Sequence, residues 1–181
     1  MQEDCIQETE LSGVFLIQRP TYTDDRGFFR EIYRKLDLDS RLGFPFNPVQ
    51  TNHARSKKGT LRGIHIAPWH KLATVLHGQV QQVVVDVRPG SLTFGKHISV
   101  VLGEDNWHAV FIPANCGNAV LALTDVVDYH YSFGDYWTPG SEKAVMYNDP
   151  SLAISWELDE VHLSDKDLKN PTFRETFPQK I

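Results

Sequence analysis

Cysteine is scarce in this 181-residue chain: Cys5 and Cys116 stand far apart, with no paired spacing. That excludes a disulfide framework or a cysteine-based zinc site, and both side chains read as ordinary reduced thiols. Long apolar runs are missing too. No stretch approaches the ~18 consecutive apolar residues of a membrane span, and the acidic segment 1–10 lacks a signal-peptide core. The expectation is a cytoplasmic protein with no membrane partner. An excess of positive charge is also absent, since 18 Lys and Arg against 23 Asp and Glu give a formal charge of -5, which argues against nucleic acid as a partner.

What is present reads as one globular unit. Hydrophobic residues at 41% and charged residues at 23% fit neither a disordered chain nor a fibrous repeat, and the length matches about one domain of ~150 residues. From about residue 45 to 131, short β-rich runs alternate with turn residues and no helical period is sustained. Strands are expected at Gln79–Arg88, His97–Leu102, Ala109–Ile112, Asn118–Leu123 and Val126–Tyr131. In the first of these, Val83, Val85 and Val87 share one face, read as the packed one, and Gln82, Val84 and Asp86 share a more polar one. Regular spacing of this kind points to an all-β sandwich or barrel with few short helices. Helix is expected near Leu36–Leu42 and after Ser164, which can cap a turn starting at Asp165. Pro171 and Pro178 mark a loose C-terminal extension over about residues 160–181.

The distribution of charge says more than its total. Between Ser40 and Val85 there is no Asp or Glu, yet Arg41, Arg55, Lys57, Lys58, Arg62 and Lys71 all fall there. A solvated basic surface and a phosphate site both account for such a segment, because Arg presents a fork matched to phosphate oxygens and Lys adds a point charge.

Five short motifs stand in order: Asp24-Asp25-Arg26-Gly27-Phe28-Phe29, Gln50-Thr51-Asn52-His53, Leu61-Arg62-Gly63-Ile64-His65, Val127 to Trp137, and Leu163-Ser164-Asp165-Lys166-Asp167. They surround Val83 to Arg88 and the turn Gly90-Ser91-Leu92-Thr93-Phe94-Gly95. Jointly they resemble the dTDP-4-dehydrorhamnose 3,5-epimerase family, the RmlC-like cupins, from about Gly13 to Asp167. The resemblance implies a cupin-type jelly roll. It also implies metal-independent epimerisation of a nucleotide-diphosphate-linked 4-keto-6-deoxy sugar, with no cofactor. Carbons 3 and 5 of such a sugar flank the C4 ketone, so a base can remove either proton if the enolate oxygen is stabilised, and an acid on the opposite face completes inversion.

Carried over residue by residue, His65 resembles the catalytic base, and an imidazole with an ordinary pKa near 6.5 keeps a neutral fraction at neutral pH. Asp167 matches the carboxylate that orients it, Tyr131 the general acid, and Lys71 the cation near the substrate oxygen. Tyr129 shares the strand face of Tyr131; spacing to Tyr136-Trp137-Thr138-Pro139 favours Tyr131 as the acid. Arg26, Glu31, Gln50, Asn52, Arg62 and Trp137 occupy nucleotide- and sugar-binding positions, with Lys166 read equally as a phosphate contact or a solvated side chain. The family is usually a homodimer, with an N-terminal arm, here about 1–45, contacting the neighbouring barrel and bringing Arg26 into the partner's site.

Three departures qualify the match. Asn118, in Pro113-Ala114-Asn115-Cys116-Gly117-Asn118, stands where the family has a histidine; it can bind substrate but cannot shuttle a proton. The interval from His65 to Lys71 is short, and Trp137 replaces a tyrosine. Alternatives therefore remain: an epimerase inverting C3 or C5 only, on another nucleotide sugar such as a GDP- or CDP-sugar, or a non-catalytic nucleotide-sugar-binding cupin. A metal-dependent cupin is disfavoured because Ala67, two residues after His65, breaks the usual His-x-His pair.

Overall fold

The computed structural model describes residues 5–178. Its strands are β1 (Ile6–Glu8), β2 (Phe15–Ile17), β3 (Thr21–Asp24), β4 (Gly27–Arg30), β5 (Gln50–Lys57), β6 (Leu61–Ile66) and β7 (Lys71–His77). They continue with β8 (Gln79–Asp86), β9 (His97–Gly103), β10 (Ala109–Ile112), β11 (Cys116–Ala122), β12 (Val126–Phe133) and β13 (Lys143–Ala144). Helix is confined to α1 (Lys35–Leu42), a 3-10 turn at Asp167–Lys169 and α2 (Phe173–Thr176). One sheet runs β1-β2-β10-β7-β12-β5 and a second β13-β6-β11-β8-β9; the hairpin β3-β4 stands apart. The mostly-β, jelly-roll expectation therefore holds.

The interior between the two sheets is filled by Ala73, Val75, Val84, Val110, Val120 and Tyr129. Burial drives this closure, at about 25 cal/mol per Å² of apolar surface removed from water. Val83, Val85 and Val87 form a packed face as expected, but the more polar face is buried as well. The more polar face, with Gln82 and Val84, points into the barrel, where Gln82 meets Tyr129 from the opposite sheet. Val83, Val85 and Val87 point outward and are buried by a second layer, Val145, Leu152 and Phe173. Alternation reports that two faces differ, but not which one looks inward when both are covered.

That second layer corrects the expected loose C-terminal extension. Phe173 is buried, Thr172 and Glu175 form a capping box at the start of α2, and Phe173 N donates to Asp149 at 2.7 Å. Ser164 does act as a cap, its hydroxyl accepting from Asp167 N at 3.1 Å, but it opens a 3-10 turn at Asp167 rather than a helix from Asp165. The N-terminal arm divides in two. β1 and β2 extend the chain's own sheet, and Leu38 of α1 and Phe46 cover Phe15, Ile17 and Phe111. The hairpin β3-β4 projects with Tyr22, Phe28 and Phe29 exposed. No helix among the described residues is long and apolar enough to cross a membrane.

Candidate active site

The strand order brings the scattered motifs to one cavity of about 720 Å³ at the mouth of the barrel. His65 enters from β6, Lys71 from β7, Asn118 from β11, Tyr131 from β12, and Asp167 from the 3-10 turn laid across the opening. Gly63 sets how closely β6 lies against β11: a Cβ there would come 2.6 Å from the Asn118 carbonyl oxygen, and its φ of +129 suits glycine alone. The close approach seats His65 directly opposite Asn118 in the strand register.

His65 Nε2 lies 2.7 Å from Asp167 Oδ1. Burial pushes the Asp167 carboxyl up, but the hydrogen bond and charge of His65, with Ser164 and Asn170, outweigh it, so the group stays below its usual range and ionised. An ionised carboxylate only accepts, so Nε2 carries a proton, and in the neutral ring it is Nδ1 that holds the lone pair. Tyr131 faces the same cavity. Burial raises its pKa, opposed by the Asn52 side chain and Arg62 and reinforced by Glu142, so the phenol stays protonated at neutral pH.

Lys71 is buried among aromatics, its Nζ 5.4 Å from the Tyr131 ring centre and 5.2 Å from that of Phe133. Burial lowers its pKa to about 8, with Glu142 pulling the other way. With this short interval after His65, Lys71 still lines the cavity: residues 67–70 form the connection, and the Trp69 ring packs on Phe133 at a tilt of 51°. Gln50 joins the rim through two bonds, its Nε2 donating to Asn52 Oδ1 at 3.2 Å and its Oε1 accepting from Trp137 N at 3.0 Å. Trp137 is half-exposed there, its indole N–H directed at Glu142 Oε2 3.2 Å away. Arg62 and Lys166 line the same cavity.

Arg26 and Glu31 lie elsewhere in the chain. Arg26 sits on the projecting hairpin, its side chain 88% exposed and paired with Asp24, while Glu31 pairs with Arg34 at 2.7 Å. Of the cations in the acid-free segment, only Arg62 and Lys71 line the cavity; Arg55 pairs with Asp128 and Arg41 with Glu8 on the outside. The charge run is thus part phosphate-site candidate and part solvated surface. Glu142, His162 and Gln82 escape a reading of the sequence. His162 adjoins the Leu163-Ser164 motif and Glu142 follows its partner Trp137 by five residues, but Gln82 acquires its role from strands distant in sequence. Cys116 is buried, its thiol pushed up to about 12 by burial, which fits an unreactive thiol. Among the described residues, no group of three or more His, Cys, Asp and Glu side chains is placed to hold a metal ion.

Comparison with known proteins agrees with this geometry. The family model described as dTDP-4-dehydrorhamnose 3,5-epimerase matches residues 8–175. The dTDP-4-dehydrorhamnose 3,5-epimerase of Escherichia coli K12 is 35% identical over 178 residues, covering 96% of each chain. A Legionella pneumophila epimerase crystallised with dTDP-4-keto-L-rhamnose superposes with a TM-score of 0.88 at 37% identity, covering 92% of this chain and 91% of that one. ChmJ, a 3'-monoepimerase of Streptomyces bikiniensis crystallised with dTDP-quinovose, superposes at 0.90 with 33% identity, covering 95% of this chain and 90% of that one.

Proposed function

This chain belongs to the dTDP-4-dehydrorhamnose 3,5-epimerase family, and from that premise we propose that it epimerises a dTDP-linked 4-keto-6-deoxy sugar in the cavity between His65 and Tyr131. The observation that carries the reading is the oriented His65–Asp167 pair and a protonated phenol lining one cavity with a buried ammonium.

The unprotonated ring nitrogen of His65 takes the proton from a carbon next to the C4 ketone. The C–H electron pair moves into the enolate, Asp167 stabilises the imidazolium, and Lys71 meets the charge on the C4 oxygen. Tyr131 then delivers its hydroxyl proton to the opposite face of the carbon, solvent reprotonates the phenolate, and the imidazolium releases its proton to solvent. Charge stabilisation is assigned to Lys71, so the sequence of steps needs no metal. Arg62 and Lys166 hold the diphosphate, Gln50 and Asn52 the sugar, and Trp137 stacks on the base. Arg26 and Glu31 reach a site only if the hairpin β3-β4 is contributed to a second copy, so the reading includes a homodimer, one barrel per subunit, working in the cytoplasm.

Asn118 supports a second reading, inversion of one carbon only, the activity for which the similar ChmJ is named. Incubation with dTDP-4-keto-6-deoxyglucose in deuterated water tests both. Deuterium at C3 and C5 is the expected result, deuterium at one carbon selects the second reading, and binding without exchange overturns catalysis in favour of a nucleotide-sugar binder.

A further inference from the structure

Gln82 is fully buried in the barrel, one strand removed from the His65 strand, and the epimerase reading gives it no role. Its surroundings fix its amide unambiguously. Nε2 lies 3.1 Å from the carbonyl oxygens of Ala119 and Val83, which can only accept, so that atom is the nitrogen. On the other side Oε1 accepts from the Tyr129 hydroxyl at 2.7 Å. The order of donors then passes to the next amide: Gln82 Nε2 donates to Asn118 Oδ1 at 2.7 Å.

With its oxygen engaged, Asn118 has its Nδ2 left over. Nδ2 is then the donor Asn118 offers to the cavity, which it lines opposite His65.

We infer that Gln82 is a positioning residue: through Tyr129 and two carbonyls it locks Asn118 so that Nδ2 donates to a substrate oxygen beside the carbon His65 deprotonates. The inference rests on the epimerase reading and deepens it. Where the family has a titrating histidine, this chain has an uncharged donor whose direction is set two residues away, and which stays a donor at every pH.

The test is Gln82→Glu. Ionised, the new carboxylate still accepts from Tyr129 but offers Asn118 an acceptor in place of a donor, so Asn118 turns Nδ2 toward it and shows Oδ1 to the cavity. Protonated, its O–H restores the original donor. Of the titratable groups, Tyr129 on β12 contacts this position directly, and Asn118 connects it to the cavity lined by His65, Lys71, Tyr131, Glu142 and Asp167, with Arg62, His162 and Lys166 at the same cavity. The pH profile of kcat for deuterium exchange into dTDP-4-keto-6-deoxyglucose is expected to gain a second falling limb, in addition to the alkaline one that Lys71 gives the parent protein. Above it, activity falls about tenfold to a hundredfold, while TDP affinity changes by less than about twofold. A profile parallel to the parent's overturns the inference.

A second measurement needs no folded variant at position 82. The Asn118 side-chain amide ¹⁵N–¹H resonances of the parent protein, assigned by their loss in Asn118→Asp, are expected to shift on adding dTDP-quinovose. Unmoved resonances with dTDP-quinovose bound overturn the inference. Absence of exchange in the parent protein together with an Asn118 shift overturns the epimerase reading and leaves the donor role of Asn118 standing.

Discussion

His65 and Asp167 are 102 residues apart in sequence and 2.7 Å apart in space, and Asp167 arrives on a 3-10 turn that Ser164 caps. The pair makes the imidazole a base of fixed tautomer, which sets the order of the expected mutational effects.

Replacing His65 by Asn removes the proton acceptor, and kcat for deuterium exchange is expected to fall about 10²- to 10⁴-fold. Tyr131→Phe falls within the same range, because the acid is lost but the base remains. Asp167→Asn leaves the imidazole present but untethered and falls less than His65→Asn. Exchange rates by NMR order the three; near-normal turnover in His65→Asn or Tyr131→Phe refutes the assignment of base or acid to that residue.

Lys71, with its pKa lowered to about 8, makes catalysis fade on the alkaline side. Below pH 8 the ammonium is present to meet the enolate; above it the charge is lost, so kcat declines through that pH. Stability moves the other way. Between pH 8 and about 10.5 the unfolded chain binds the proton that the folded one has released, so unfolding free energy rises with pH in that window. Lys71→Met removes the alkaline limb and is expected to stabilise the fold at pH 7 by about 3 kcal/mol, from the ~1.4 kcal/mol carried by each pKa unit. Urea denaturation checks the gain, and lost activity in the same variant marks a functional cost of burial.

Trp137 is half-exposed on the cavity rim, tethered by Glu142 and Gln50. TDP binding is expected to quench its fluorescence. Trp137→Ala weakens TDP by about tenfold or more, in line with ~1–3 kcal/mol per stacked base, and Trp137→Tyr recovers most of it. Calorimetry with TDP, GDP and CDP ranks the bases; equal affinities in the parent and Trp137→Ala would remove the stacking role.

Arg26 tests the assembly. If one subunit's hairpin completes the other's cavity, Arg26→Ala and His65→Asn proteins are each weak alone. After unfolding together and refolding, mixed dimers regain about half of the parent activity per dimer, or about a quarter over the statistical mixture, since one of their two cavities keeps both residues. No recovery on mixing, with dimers present by sedimentation, shows that Arg26 serves its own chain or none.

Much of the site was legible because its side chains travel in short local motifs: Leu61-Arg62-Gly63-Ile64-His65 brings Arg62 and His65 to one cavity, and a period of two places Tyr129 and Tyr131 on one face. Gln82 was visible only as a polar residue in a valine strand. Its meaning depends on Tyr129 from the facing sheet and Asn118 from the neighbouring strand, and neither proximity is encoded nearby in sequence.

Sequence alone determined the class of the molecule. Scarce cysteine, the absence of long apolar runs and a β-rich middle left a barrel-type protein held by apolar burial, and an acid-free segment carried two of the cations that line its cavity. Tertiary structure decided which face of β8 looks inward, which cations reach the cavity and which are neutralised outside, and which way the Asn118 amide points. Those outcomes depend on strand order and on the pairing of donors with acceptors in a closed interior, and both are properties of the assembled sheets rather than of any single segment.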